Sequence, residues 1–174
     1  MRHTLSILVK NEAGVLSSIS GLFSGRGYNI ESLTVAPTID NAFSRITIVT
    51  TGDNAVIEQI SKQLNRLINT IKVVELSGDD CIDRELILCK VTAKDEDRSE
   101  ILRIAEIFHA QIIDVSPKTY TIEAIGDNRQ ITSLIELLRP IGIKEIVRSG
   151  KVAISRENQF ISLNQKLGIG ATDK

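Results

Sequence analysis

One order of elements runs through this chain and then starts again, and that repeat constrains the fold more than any other feature. Over residues 4–10 apolar side chains alternate, with Leu5, Ile7 and Val9 on one side, the period of a half-buried strand. Asn11-Glu12-Ala13-Gly14 interrupts the alternation. Val15, Ile19, Leu22 and Phe23 then recur at helical spacing until Gly25 and Gly27, residues that tolerate positive φ, stop the helix. Strands are predicted over residues 29–36 and 43–50. Gly52-Asp53-Asn54 supplies a turn and a cap for a second helix, whose stripe is Val56, Ile60, Leu64, Leu67 and Ile68. A fourth strand covers residues 71–76. After the polar break Ser77-Gly78-Asp79-Asp80 the order returns: a strand over 85–92, a helix through Ile101, Ile104, Ala105 and Phe108, strands over 111–115 and 119–125 about a Ser116-Pro117-Lys118 turn, a helix through Ile131, Leu134, Ile135 and Leu138 ended by Pro140 and Gly142, and a strand over 143–148.

Twice βαββαβ predicts an α+β chain of two ferredoxin-like, split-βαβ units. We place the first at residues 1–77, the second at 82–150 and a tail at 151–174. The two halves share architecture with little identity. Right-handed crossovers put both helices of a unit on one face of an antiparallel sheet, so the other face is expected to be open. The third strand carries Ile46 and Ile48 on one side and Val49 on the other, and units of this size bury limited surface, so a homodimer is expected. The segment after residue 150 has no counterpart in the repeat; it reads either as a docking arm, with Lys151, Arg156 and Lys166, or as a partly ordered terminus.

The composition narrows the partners. Hydrophobic residues are 42% but aromatics only 3%, with no Trp, so the core is aliphatic. With 21 basic and 22 acidic residues the net charge is −1, without the basic surplus of a nucleic-acid binder or the cationic surface that an anionic membrane attracts. Cys81 and Cys89 have neither zinc nor thioredoxin-type spacing and read as free thiols. No apolar run approaches the ~18 residues of a membrane span. The sequence enters strand-like residues at once, without a signal or transit segment, which points to the cytoplasm, or to the stroma for a plastid-encoded chain.

The segment with chemical content is the loop joining the first strand to the first helix. Free N–H groups and the helix dipole make a helix start a natural seat for a carboxylate. Gly14 would let backbone approach a ligand closely. Asn29, after Arg26-Gly27-Tyr28, offers a donor and an acceptor. Val15, Leu16 and Ile30 could receive a small aliphatic side chain. Those features suit a zwitterionic amino acid, although the same residues also make an ordinary turn and cap.

Intrinsic catalysis finds no support. The two histidines, His3 and His109, stand at the chain start and at a helix end, where a cation suits the dipole. No Ser-His-Asp or Cys-His set can be assembled. Asp79-Asp80 and Asp95-Glu96-Asp97 read as solvated turns and helix starts rather than metal ligands. Gly25-Arg26-Gly27 lacks the strand-to-helix setting of a nucleotide fingerprint.

The run Leu8-Val-Lys-Asn-Glu-Ala-Gly-Val-Leu16, followed by Gly21-Leu-Phe-Ser-Gly-Arg-Gly-Tyr-Asn-Ile-Glu-Ser-Leu33, resembles ACT domains, and more narrowly the small regulatory subunits of acetohydroxyacid (acetolactate) synthase. Thr34-Val-Ala-Pro-Thr38, Ser44-Arg-Ile-Thr-Ile-Val49, Gln63-Leu64, Arg84-Glu-Leu-Ile-Leu88, Ile104-Ala-Glu-Ile-Phe108, Gln111-Ile-Ile-Asp-Val-Ser-Pro117 and Arg148-Ser-Gly-Lys151 extend the likeness over residues 2–156. It departs at Ile46, where the family often has Met, and at residues 39–42, which are less acidic than usual and touch only a loop. The resemblance implies an N-terminal ACT domain and a C-terminal ACT-like domain. It implies that valine, leucine or isoleucine binds where two ACT domains meet, with Asn11, Ala13, Gly14, Val15 and Leu16 from one chain and Asn29 and Ile30 from its neighbour. It implies feedback inhibition and stimulation of a catalytic large subunit, which would carry the thiamin diphosphate, magnesium and FAD, with no cofactor on this chain. The second unit has Ala93-Lys94-Asp95-Glu96-Asp97 in place of the Asn/Gly pair, so no equivalent amino-acid site is expected there. A free-standing sensor acting on a transcription factor or transporter is the alternative. No DNA-binding helix-turn-helix accompanies it, and recovery of a thiamin-dependent large subunit from cell extract would separate the two.

Overall fold

The computed structural model describes residues 1–76 and 81–156, so the polar break at residues 77–80 and everything after Arg156 lie outside the described residues. The chain divides into two compact units, one of Met1–Ile82 joined by Ala153 and the described residues after it, the other of Asp83–Val152. The first contains β1 (Arg2–Lys10), α1 (Val15–Gly25), β2 (Ile30–Pro37), β3 (Phe43–Thr51), α2 (Asn54–Leu64) and β4 (Thr70–Glu75). Its sheet runs β2-β3-β1-β4, every neighbour antiparallel. β5 (Cys81–Thr92) leads into the second unit, with α3 (Arg98–Ile107), β6 (Gln111–Val115), β7 (Thr119–Gly126), α4 (Asn128–Leu138) and β8 (Ile143–Arg148). Its order, β6-β7-β5-β8, is the first unit's order shifted by one repeat. Both are the ferredoxin-like arrangement that the periodicity predicts.

The helices sit where their apolar stripes require. Val15, Ile19 and Phe23 of α1 and Ile57, Ile60 and Leu64 of α2 cover Leu5, Ile7, Val9, Ile46 and Ile48. In the second unit Ile101, Ile104, Ile131, Leu134 and Leu138 cover Ile87, Cys89, Val91 and Ile122. Each such aliphatic side chain contributes about 1.5–3 kcal/mol on burial. The helix starts repeat at residue level: Gly52-Asp53-Asn54 recurs as Gly126-Asp127-Asn128. Asp53 accepts from the Val56 N–H and Asp127 from the Gln130 N–H, both at 2.8 Å. A Cβ on either glycine would come within 2.9 Å of the side chain at the fourth position on, Val56 or Gln130.

Helix ends repeat as well. After α1, Tyr28 N–H donates to Phe23 O and Gly27 N–H to Ser24 O, with Gly27 at φ 70°. The Phe23 and Tyr28 rings meet edge to face at 6.3 Å. This is a Schellman ending with its apolar contact. After α3, Ala110 N–H donates to Ala105 O and His109 N–H to Glu106 O, and His109 takes the glycine's place at φ 51°. His109 therefore serves the turn itself, beyond any interaction with the helix dipole.

Three expectations are corrected. The stripe assigned to α2 overruns its end: the helix stops at Leu64, Leu67 is half-buried beyond it, and Ile68 is 94% exposed. The face of the first sheet turned away from the helices is not open along β1 and β3, for Thr4, Ser6, Leu8, Thr47 and Val49 are buried. Short polar side chains in alternation look like a solvent face whether or not anything covers them. The stretch after Lys151 begins with a fifth strand, β9 (Val152–Ser155), which pairs with β5. Its Ala153 joins Val74, Leu76 and Cys81 in a small cluster of the first unit, while Lys151 is ion-paired with Asp83.

Candidate functional site

The loop after β1 is fixed by backbone where it leaves the strand. Lys10 N–H donates to Asn69 O (2.9 Å) and Asn11 N–H to Ala42 O (2.8 Å). The Asn11 side-chain amide donates one N–H to Asn41 O at 2.9 Å, which turns the loop's only amide side chain into a brace. The turn that receives it is itself tied: Thr38 Oγ1 donates to Asp40 O, and the Ala42 N–H to the Asp40 carboxylate, each at 2.9 Å. Residues 39–42 form a loop, as expected, and they hold the candidate loop through Asn11. That hold escaped notice because the register Lys10↔Phe43, which brings the two loops side by side, is a tertiary fact. Thr38, Asp40 and Asn41 did carry a signal, since such residues build Asx and ST turns.

Gly14 is the N-cap of α1 at φ 85°, ψ −10°, and no side chain caps this helix. Its carbonyl accepts from Ser18 N–H (2.9 Å) and Ser18 Oγ (3.0 Å). The first-turn N–H groups of a helix lack intrahelical acceptors, so an uncapped start offers them to water or to a guest. A Cβ on Gly14 would meet nothing within 4 Å, so the glycine serves the positive φ and leaves open space beside it. Ala13 and Leu16 are exposed. Val15 is buried in the core, so it can offer a ligand its N–H but little side-chain surface.

Asn29 and Ile30 stand elsewhere. Thr50 Oγ1 donates to Asn29 O at 2.6 Å, and Ile30 is registered with Thr50 at the far end of β3 from Phe43. Along a strand that separation is on the order of 20 Å. Within one chain the two halves of the sequence-derived set occupy opposite ends of the sheet. β2, which starts at Ile30, is an edge strand of its sheet.

Other candidates resolve into structure. His3 is buried, with Nδ1 2.6 Å from Glu75 Oε1. In the Asp95–Asp97 run, Asp95 pairs with Arg98 at 3.0 Å and Glu96 lies 3.9 Å from Lys94. Cys89 is fully buried, and desolvation pushes its thiol up to about 11, away from reactive thiolate. No described helix is long and apolar enough to cross a membrane.

Residues 84–157 match the family described as the small subunit of acetolactate synthase, and residues 5–72 the small-subunit-like ACT domain of the same enzyme. The chain belongs to the acetolactate synthase small-subunit family. It is 52% identical over 157 residues to the acetolactate synthase small subunit of Aquifex aeolicus, covering 90% of this chain and 82% of the relative. It is 50% identical over 162 residues to that of Haemophilus influenzae, covering 92% and 99%. The crystal structure of the small subunit from Thermotoga maritima superposes with a TM-score of 0.84 at 38% identity, covering 91% and 99%. Because the two matched segments span both units, small-subunit membership applies to the whole βαββαβ repeat.

Proposed function

We propose that this chain is the regulatory subunit of an acetolactate synthase, binding a branched-chain amino acid and passing its presence to a catalytic large subunit. In this reading residues 1–77 form the effector-binding ACT domain. Residues 82–150 contact the catalytic subunit, and residues 151–174 are the tail that follows. The carbon–carbon chemistry, with its thiamin diphosphate, magnesium and FAD, belongs to the partner, in the cytoplasm or the stroma. The observation that carries the reading is the uncapped α1 start beside Gly14, set in a loop braced by Asn11. A carboxylate there meets N–H donors and the positive end of the helix.

The placement of Asn29 and Ile30 supports a site shared between two copies. β2 runs from Ile30 to Pro37, and Pro37 is registered with Ser44, beside Val9 at the loop end of the sheet. Pairing β2 with β2 of a second copy across a two-fold axis is antiparallel. It sets Asn29 and Ile30 of one copy at the end where the other copy's Asn11–Leu16 loop lies. Leu16 and Ile30 then supply apolar surface for an aliphatic side chain, Asn29 a polar partner for the amino acid, and α1 the seat for its carboxylate. The test is reconstitution with the cognate large subunit, assayed with and without valine, leucine and isoleucine. The reading requires stimulation by this chain and inhibition by at least one of the three. Stimulation without inhibition would remove the effector role, and recovery of a DNA-binding or membrane partner instead of a synthase would remove the whole assignment.

A further inference from the structure

The second unit holds a cavity of about 630 Å³ where β5 gives way to α3, the β6–β7 turn comes round and β8 begins. Thr92, Lys94, Asp95, Lys118, Thr119 and Lys144 line it. Three lysines and one aspartate thus share the lining, and the aspartate is already paired with Arg98 at 3.0 Å. Lys94 has only Glu96 at 3.9 Å, near the limit of an ion pair. Neither Lys118 nor Lys144 has an ion pair among the described residues. Arg98 adds a further cation at the rim: its Nη2 donates to Pro117 O at 3.0 Å, while its Nε is buried with no hydrogen-bond partner. Asp97 gives α3 no side-chain cap, so the helix start adds partial positive charge on the same side. Like charges brought to one cavity repel, and a guest of opposite charge relieves that cost. The volume lies in the range of small-molecule sites. Ala93 and Pro117 complete the lining, so three lysines and two threonine hydroxyls surround an apolar floor.

We propose that this cavity binds a phosphate-bearing small molecule with at least two negative charges. The lysines would hold it as point charges, and Thr92 and Thr119 would add hydroxyl donors. This goes beyond the effector reading and does not depend on it. The test is calorimetric titration of inorganic pyrophosphate into the full chain at constant ionic strength, with inorganic phosphate as a second probe. Saturable binding of one pyrophosphate per chain is expected. Lys118→Ala with Lys144→Ala should weaken it at least about tenfold, while Lys144→Arg should stay within about threefold of the native chain because the charge is kept. Lys62→Ala with Arg139→Ala, which removes two exposed cations elsewhere, should leave binding unchanged. Unsaturable binding, or an equal loss in that control pair, would overturn the proposal. So would an absence of pyrophosphate binding coupled with lost stimulation of the catalytic subunit by the Lys118→Ala/Lys144→Ala chain, which would give the cavity to an acidic protein surface.

Discussion

At the residue scale the chain needs a left-handed residue after α1 and again after α3, and meets the need with Gly27 once and His109 once. A side chain in that region is strained by ~1–2 kcal/mol, partly offset because glycine gains more freedom in the unfolded chain. His109→Gly should therefore stabilise the protein by about 0.5–1 kcal/mol, read as a higher urea midpoint with an unchanged slope; a lower midpoint would assign the imidazole a stabilising contact that outweighs the strain. Cys89 makes a second prediction. Its thiol titrates ordinarily at 9.0 and in the fold at about 11, because burial disfavours the thiolate. Above the lower value the unfolded chain releases a proton that the folded chain keeps, so this stability is complete below pH 9 and drains away as pH rises toward 11. A loss of about 1 kcal/mol from roughly pH 8 to pH 10 is expected, largely absent in Cys89→Val, and an equal loss in both chains would place its cause elsewhere. Gly14 and Asn11 could be singled out from their types and their place before a helix. That the Asn11 amide braces Asn41 could not, because that bond exists only once β1 and β3 are in register.

At the element scale the strands and helices followed from alternation and 3.6-residue stripes, since each stripe found a sheet to cover. The failures have one cause: pattern is blind to where backbone hydrogen bonding stops. Leu67 and Ile68 continue the stripe of α2, yet Arg66 N–H turns to Gln63 O and Leu67 N–H to Leu64 O in a tighter turn that ends the helix. β5 begins at Cys81, four residues before the sequence suggested, and β9 is too short to alternate. The edge strand β2 carries the assembly prediction. An edge with an apolar side chain such as Val35, 43% exposed, is open to pairing with another chain. Val35→Lys should shift the sedimentation of the chain at micromolar concentration from dimer toward monomer and weaken effector binding with it. A native chain that sediments as a monomer with or without amino acid would contradict the shared-site assembly at once.

For the whole molecule, the proposed reading gives the two units of one architecture different tasks. Both α1 and α3 start without a side-chain cap, but the first start stands beside a glycine and an asparagine brace and the second beside lysines and acidic residues, and a branched-chain amino acid bound at residues 93–98 would contradict the second unit's exclusion from effector binding. Gly14→Asp tests the first unit. Space exists for the side chain, but φ 85° makes an L residue strained, so folding should cost ~1–2 kcal/mol rather than nothing. The new carboxylate would repel the effector's own. Against a binding free energy of about −4 to −8 kcal/mol, a loss of roughly 2–4 kcal/mol empties the site at working concentrations while stimulation of the catalytic subunit survives. Asn29→Ala, which removes one polar partner, should weaken binding less.

The claim that one site is built from two copies is tested most directly by titrating the amino acid that inhibits the reconstituted enzyme into a purified heterodimer, Gly14→Asp in one chain and Asn29→Ala in the other. If Asn11–Leu16 of one copy meets Asn29 and Ile30 of its neighbour, one site of that heterodimer carries both defects and the other carries neither. The expected result is a single site per dimer at native affinity, which neither mutant homodimer possesses. A heterodimer without any native-affinity site would contradict the account, because it would place the α1 start and Asn29 in the same chain's site or in no common site at all.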